Sequence, residues 1–260
     1  MTTRDTPWPD STPCWTDLAV ADSDATRLFY ESLFGWNIEP GNPKYGGYAI
    51  CRKGGRQVCA IAPKMSPEQP AAWTSYLATS DAEASAARIT ESGGTLVVEP
   101  MRIDDLGTMV VALDPAGATF GLWQAEQHTG AQLANAPGAV IWNEQLSPNW
   151  QACKTFYQQV LDIAYRDMSA DDFHYATIQV GGRDVAGIGQ SAPDEPARWA
   201  VYFGAEDTDE TVDQAVKLGA SLVSPPADTP YGRIAVLADL EGANFAVMAA
   251  PAEGYDDAAG

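Results

Sequence analysis

The sequence predicts an α+β fold of tandem duplicated domains, four βαβββ units in all, with curved mixed sheets and helices outside. Three observations predict it. The chain repeats itself at a period near 126 residues. Within each copy a strand–helix–strands pattern runs twice. Turn residues fall at matching points of both copies. The repeat is read directly: CWTDLAVADSDATRLFYESLFGW (14–36) is echoed by IWNEQLSPNWQACKTFYQQVLDI (141–163). Trp15 and Trp142, Asp17 and Glu144, Tyr48 and Tyr175, and Val58 and Val185 are each 127 apart. Trp73 and Trp199 are 126 apart, and LDPAGATFGLW (113–123) matches ADLEGANFAVM (238–248) at 125. A drift of two residues over a whole copy is the mark of a tandem duplication with small deletions. The period exceeds that of solenoid repeats, so each copy is a domain.

Each element follows from local chemistry. Residues 15–20 alternate as a half-buried strand. Asp22 or Ser23 caps a helix to about residue 34, with Leu28, Phe29, Leu33 and Phe34 on its apolar face, and Gly35 ends it. Residues 48–52 and 58–62 read as strands around a Lys53-Gly54-Gly55 turn. The cycle restarts with a strand at 73–79 and a helix at 81–92, stopped by Gly93-Gly94. Strands at 95–99, 108–113 and 118–124 follow, the last two joined by Asp114-Pro115-Ala116-Gly117. This divides the chain into an N-terminal tail 1–12, a first domain 13–125, a polar Gly/Pro-bearing linker 126–138, a second domain 139–250 and a frayed C-terminal tail 251–260.

Composition narrows the function. The chain carries 15 Lys and Arg against 35 Asp and Glu, a net charge of −20. That disfavours a nucleic-acid partner, which needs a cationic face, and docking on anionic lipid. No apolar run reaches the roughly 18–20 residues of a membrane span, and the N-terminus lacks a signal-peptide core. A cytoplasmic protein is expected. Cys14, Cys51, Cys59 and Cys153 share no CxxC spacing and are expected to be reduced and packed, with Cys51 and Cys59 close across a hairpin.

The strand–Asp–helix–PheTyr–LeuPheGlyTrp motif (Trp15 to Trp36), the Gly-Gly–strand that follows the second helix and the strand–AspProxGly–strand (Val110 to Trp123) all recur in the second copy. On these motifs the chain resembles the vicinal oxygen chelate superfamily, which includes glyoxalase I, bleomycin-resistance proteins and extradiol dioxygenases. It is most similar to two-domain actinobacterial members often labelled hydroxylases. The resemblance implies a metal held by a His or Glu on the first strand of each unit and a Glu on the last. At the matching positions this chain has Trp15, Ala60, Thr74 and Gly121, then Trp142, Gly187, Ala200 and Ala246, none of them a ligand of that type. No metal site and no cofactor are expected, and the metal-dependent chemistry of the superfamily is not implied. Its antibiotic-binding members close a cavity around a ligand without a metal.

Strand alternation turns Trp15, Asp17 and Ala19 toward the cavity, with Trp142, Glu144 and Leu146 in the second copy. Tyr76, Trp123, Tyr202 and Met248 share those faces. Indoles supply flat apolar walls and small residues leave volume, the composition of a pocket for a planar or apolar molecule; the same indoles could instead fill the hollow as core. Asp17 and Glu144 could act as general bases or bind a cation, or could be structural links to a nearby Trp N–H, Arg or backbone group. His174, matched by Gly47 in the first copy, is the position where one copy could have gained chemistry; it could equally lie on the surface. His128 in the linker is expected to make a hydrogen bond. Arg233 could meet an anion or pair with an acid.

The expected function is metal-independent binding of a small organic molecule, with Trp15, Tyr76, Trp123, Trp142, Tyr202 and Met248 contacting it and Asp17 and Glu144 anchoring it. The alternative is a lyase, isomerase or hydroxylase-like enzyme using Asp17, Glu144 or His174 as acid or base. A monomer is expected, because a duplicated chain can pair its own domains.

Overall fold

A computed structural model describes residues 1–250; the expected C-terminal tail at 251–260 lies outside them. A short strand β1 (Thr2–Thr3) precedes the first repeat. The first unit is β2 (Pro13–Val20), α1 (Ser23–Phe34), β3 (Asn37–Ile38), β4 (Ala49–Lys53) and β5 (Arg56–Pro63). The second is β6 (Ala72–Ala78), α2 (Ala82–Glu91), β7 (Thr95–Ile103), β8 (Gly107–Leu113) and β9 (Thr119–Ala125). After β10 (Leu133–Ala134), the third unit is β11 (Val140–Ser147), α3 (Trp150–Val160), β12 (Ala164–Asp167), β13 (Tyr175–Val180) and β14 (Arg183–Gln190). The fourth is β15 (Arg198–Gly204), α4 (Thr208–Lys217), β16 (Ser221–Thr229), β17 (Gly232–Ala238) and β18 (Asn244–Ala249).

The helix ends follow capping chemistry. The Asp22, Asp81 and Asp207 carboxylates accept the Ala25, Ala84 and Glu210 N–H groups. Gly35 takes the left-handed conformation at φ 65° and its N–H closes on the Glu31 carbonyl, a turn that a side chain would strain. The two- and four-residue strands β3 and β12 carry too little alternation to read from sequence. They form because the chain leaving each helix runs beside an existing hairpin.

Each repeat makes one eight-stranded mixed sheet, in the order β3-β4-β5-β2-β6-β9-β8-β7 and β12-β13-β14-β11-β15-β18-β17-β16. The leading strands of the paired units lie side by side at the centre, β2 antiparallel to β6 and β11 antiparallel to β15. The helices lie on the face away from the cups, as expected, but this places them between the two sheets. The core is therefore shared. Phe29, Tyr30 and Phe34 of α1 pack with Phe203, Phe245 and Val247 of the second repeat. Phe156, Tyr157 and Val160 of α3 pack with Phe120, Leu122 and Ile89 of the first. Each such side chain, fully buried, stabilises by roughly 1.5–3 kcal/mol.

The polar part of this interface is reciprocal. The Trp73 indole N–H donates to the Tyr30 hydroxyl (3.2 Å), which donates to Asp239 in the other repeat (3.0 Å). Trp199 donates to Tyr157 (2.8 Å), which donates to Asp114 (3.1 Å). Each aspartate also ties its own turn, accepting two backbone N–H groups at 2.9 Å. All four cysteines are free and buried, and Cys51 faces Cys59 across the β4–β5 hairpin. Among the described residues no helix is long and apolar enough to cross a membrane.

Candidate ligand-binding site

With helices against one face, the other face of each sheet forms a cup lined by every second residue. Register builds the same constellation twice. Asp17 is flanked by Ala60 and Thr74, and Tyr76 is paired with Gly121. Glu144 is flanked by Gly187 and Ala200, and Tyr202 is paired with Ala246. The small residues at the positions where relatives would carry ligands do not leave empty volume, contrary to expectation. The Tyr76 ring lies over Gly121, where a Cβ would come within 2.1 Å of it, and Tyr175 lies over Gly187, where a Cβ would come within 1.9 Å of its hydroxyl.

In the first cup the Trp15 indole donates to the Tyr48 hydroxyl (2.7 Å), and Tyr48 donates to Asp17 (3.0 Å). Tyr76 directs its hydroxyl to the Met109 sulfur (3.8 Å). In the second cup Trp142 donates to Tyr175 (3.1 Å), and Tyr175 donates to Glu144 (2.9 Å). Tyr202 also donates to Glu144, which is one methylene longer than Asp17 and reaches it. Both carboxylates are thus held by tyrosine hydroxyls. Burial is the main influence on each. It pushes the Asp17 carboxyl up to about 6 against the hydrogen bond of Tyr48 and the nearby Tyr76 hydroxyl. It raises Glu144 against the donors Tyr202 and Tyr175 and the positive charge of Arg198. Burial and the adjacent carboxylates raise Tyr48, Tyr175 and Tyr202 as well, so these hydroxyls remain donors.

The cups differ in what covers them. Residues 126–138 do not act as a free linker. Leu133 and Ala134 pair with Thr3 and Thr2, and the segment from His128 to Ala131 packs into the first cup. His128 sits edge-on to Trp15 (ring centroids 4.5 Å apart) and against Trp123 (5.4 Å). Its carbonyl accepts the Trp123 indole N–H, and the Ala131 carbonyl accepts that of Trp8 from the expected N-terminal tail. Trp15, Tyr76 and Trp123 are left only 7%, 6% and 8% exposed, so these expected ligand contacts are core side chains. Asp17 keeps partial exposure. His128 Nε2 is buried without a partner, and burial lowers the imidazole to about 4.

The second cup has no such cover among the described residues. Trp142, Tyr175, Tyr202 and Met248 are half-buried, and Glu144 lies beneath them at 8% exposure. Phe173, 59% exposed, stacks on Tyr175 at 5.6 Å and extends the aromatic wall outward. His174 is not part of this site. Alternation that turns Tyr175 inward turns its neighbour out, and His174 stacks on Trp150 of α3 (5.7 Å, 9°). Arg233 is held by Asp209 and Asp228. The tyrosines that hold the carboxylates carried one sequence signal: Tyr48 and Tyr175 keep the 127-residue offset.

A metal ion of the superfamily type would need three or four imidazole or carboxylate ligands. Among the described residues no three His, Cys, Asp or Glu side chains converge to hold one. Each cup offers one carboxylate ringed by phenols. The residues present do not fit such an ion.

Comparison with known proteins agrees with this architecture. The Glyoxalase-like domain family matches the chain twice, over residues 15–123 and 144–248. The anthracycline biosynthesis protein DnrV of Streptomyces peucetius is 38% identical over 266 residues, covering 95% of this chain and 96% of its own. CFP32 of Mycobacterium tuberculosis, which carries a glyoxylase name, is 38% identical over 246 residues, covering 91% and 94%. Among solved structures, the 2,3-dioxygenase LapB of Pseudomonas sp. KL28 superposes with a TM-score of 0.66 at 14% identity, covering 98% of this chain and 96% of LapB. The Mn(II)-bound glyoxalase of Novosphingobium aromaticivorans superposes at 0.64 and 18% identity, covering 92% and 82%. At those identities the structures speak for the fold alone. Matched in both repeats, the chain belongs to the Glyoxalase-like domain family and is a tandem-duplicated member of the vicinal oxygen chelate superfamily.

Proposed function

We propose that the second cup binds a small, planar, largely apolar organic molecule without a metal ion, a sequestration type of activity. The observation that carries this reading is the half-exposure of Trp142 and Tyr202 beside Glu144, while their counterparts Trp15 and Tyr76 are buried in the first cup, where the chain's own segment packs. Aromatic faces around one buried polar anchor suit a flat ring system. The relative DnrV is named for anthracycline biosynthesis, which concerns planar fused rings. In this reading the domains 13–125 and 139–250 serve one monomer, since the reciprocal Tyr–Asp contacts are made within one chain.

The test is titration of an anthracycline against tryptophan fluorescence and calorimetry. One site per chain is expected, with Trp142→Ala weakening it at least about 10-fold, the loss of one stacked aromatic contact. An absence of heat and of any melting shift across a panel of planar aromatics would sink the reading. A second reading, acid–base catalysis by Glu144, draws on its buried carboxyl. Glu144→Gln separates the two: turnover lost with affinity retained favours the enzyme, affinity lost favours binding.

A further inference from the structure

Resting on that reading, we infer that the second cup selects a planar ring carrying a hydrogen-bond donor, a phenolic hydroxyl or an amino group, placed against Glu144. A count of donors and acceptors around the carboxylate leads there. The Trp142 N–H is spent on Tyr175, the Tyr175 O–H on one Glu144 oxygen, and the Tyr202 O–H on the other. Trp142 has one donor and each phenol one, so none remains. Acceptor capacity does remain: each carboxylate oxygen takes one tyrosine hydrogen bond and has a further lone pair, and the Tyr202 oxygen accepts nothing. A ligand that offers only a carbonyl, an ether or a carboxylate would set acceptor against acceptor in a partly dry site. A ligand with an O–H or N–H completes the network.

The same arithmetic recurs in the first cup, where Trp15 is spent on Tyr48, Tyr48 on Asp17, and Tyr76 on Met109. The cation whose charge reaches Glu144 is Arg198, whose guanidinium is tied to Glu195 (3.0 Å) and the Pro196 carbonyl. With a net charge of −20 around it, the cup offers an anion little.

Three ligands of one ring shape test this at pH 8: 2-naphthol, 2-methoxynaphthalene and 2-naphthoate, titrated into the full chain by fluorescence quenching and calorimetry. The naphthol is expected to bind at least about 10-fold tighter than the methyl ether, the worth of one hydrogen bond to a charged group, and the naphthoate weakest of all. Glu144→Gln, whose amide brings N–H donors, is expected to close the gap between naphthol and ether. The wild-type series carries the test by itself if that variant does not fold. Equal affinity for naphthol and ether overturns the donor inference and leaves the planar-ligand reading standing. Tightest binding of the naphthoate also overturns it and makes Arg198 the anchor. Binding of none of the three removes both readings.

Discussion

The two cups start from nearly the same residues and end differently. Each has a tryptophan, a carboxylate two residues later, a tyrosine at or just before the start of the third strand of its unit and a tyrosine from the neighbouring unit. In the first, a shorter carboxylate fails to engage Tyr76 through a geometric hydrogen bond, and the segment after β9 folds back so that His128 seals the indoles. In the second, the longer glutamate gathers both phenols and the indole side stays half-open. Duplication thus made two equivalent faces, and a short stretch of chain gave one to the core, while among the described residues the other stays half-exposed. The lesson is that a repeated constellation does not imply a repeated environment: cover decides.

The largest test of this contrast is truncation of the paired indoles. Trp15→Ala should lower unfolding free energy by about 3–5 kcal/mol, as for a large core aromatic, and Trp142→Ala by about half that or less because its side chain is only half-buried. Chemical denaturation measures both, and equal losses would mean that the cups are equally closed.

Next comes pH dependence within the first cup, where two groups oppose each other. Asp17 stands at about 6 in the folded chain against an ordinary 3.8, so between those values the folded state holds more protons and its stability falls as pH rises. His128 stands at about 4 against 6.5, so the unfolded state holds more protons over that window and stability rises with pH. Each contributes about 1–3 kcal/mol at 1.36 kcal/mol per unit, Asp17 toward the lower end for its partial exposure. The two cancel only in part, so the wild type should climb gently with pH from 4 to 6. Asp17→Asn should leave a stability that climbs with pH across that range, and His128→Gln one that declines. Parallel profiles for both variants would show that His128 is not sealed in.

The smallest difference concerns the phenols. Tyr202→Phe removes a donor from Glu144 and should cost about 1–2 kcal/mol, whereas Tyr76→Phe, whose hydroxyl lies near Asp17 but makes its hydrogen bond to a sulfur, should cost less, below about 1 kcal/mol. A thermal melt of each variant checks the order, and reversal would place the tighter network in the first cup.

Much was legible in the sequence because it depends on local and periodic rules. The offset of 127 residues equated Asp17 with Glu144 and Tyr48 with Tyr175, and strand alternation put Trp15 and Asp17, and Trp142 and Glu144, on the same faces. Asp22, Gly35 and the Asp-x-x-Gly turns carried their own capping and turn signals. Other features were not legible. Tyr30 and Tyr157 read as ordinary apolar-face residues, yet each bonds an aspartate more than 40 residues away in the other repeat. Residues 126–138 read as a polar spacer because their partners, Trp15, Trp123 and the N-terminal strand, are distant in sequence.

Periodicity, turn chemistry and self-similarity act within a few residues or between identical patterns, so the sequence alone determined the four units, the duplication and which side chains line each cup. Whether a cup is covered, whether its carboxylate is partnered and which repeat completes which core depend on surfaces that meet only after the strands pair. Those were decided by the tertiary structure, because the free energy of burying His128 against two indoles exists only once both have been brought to the same place.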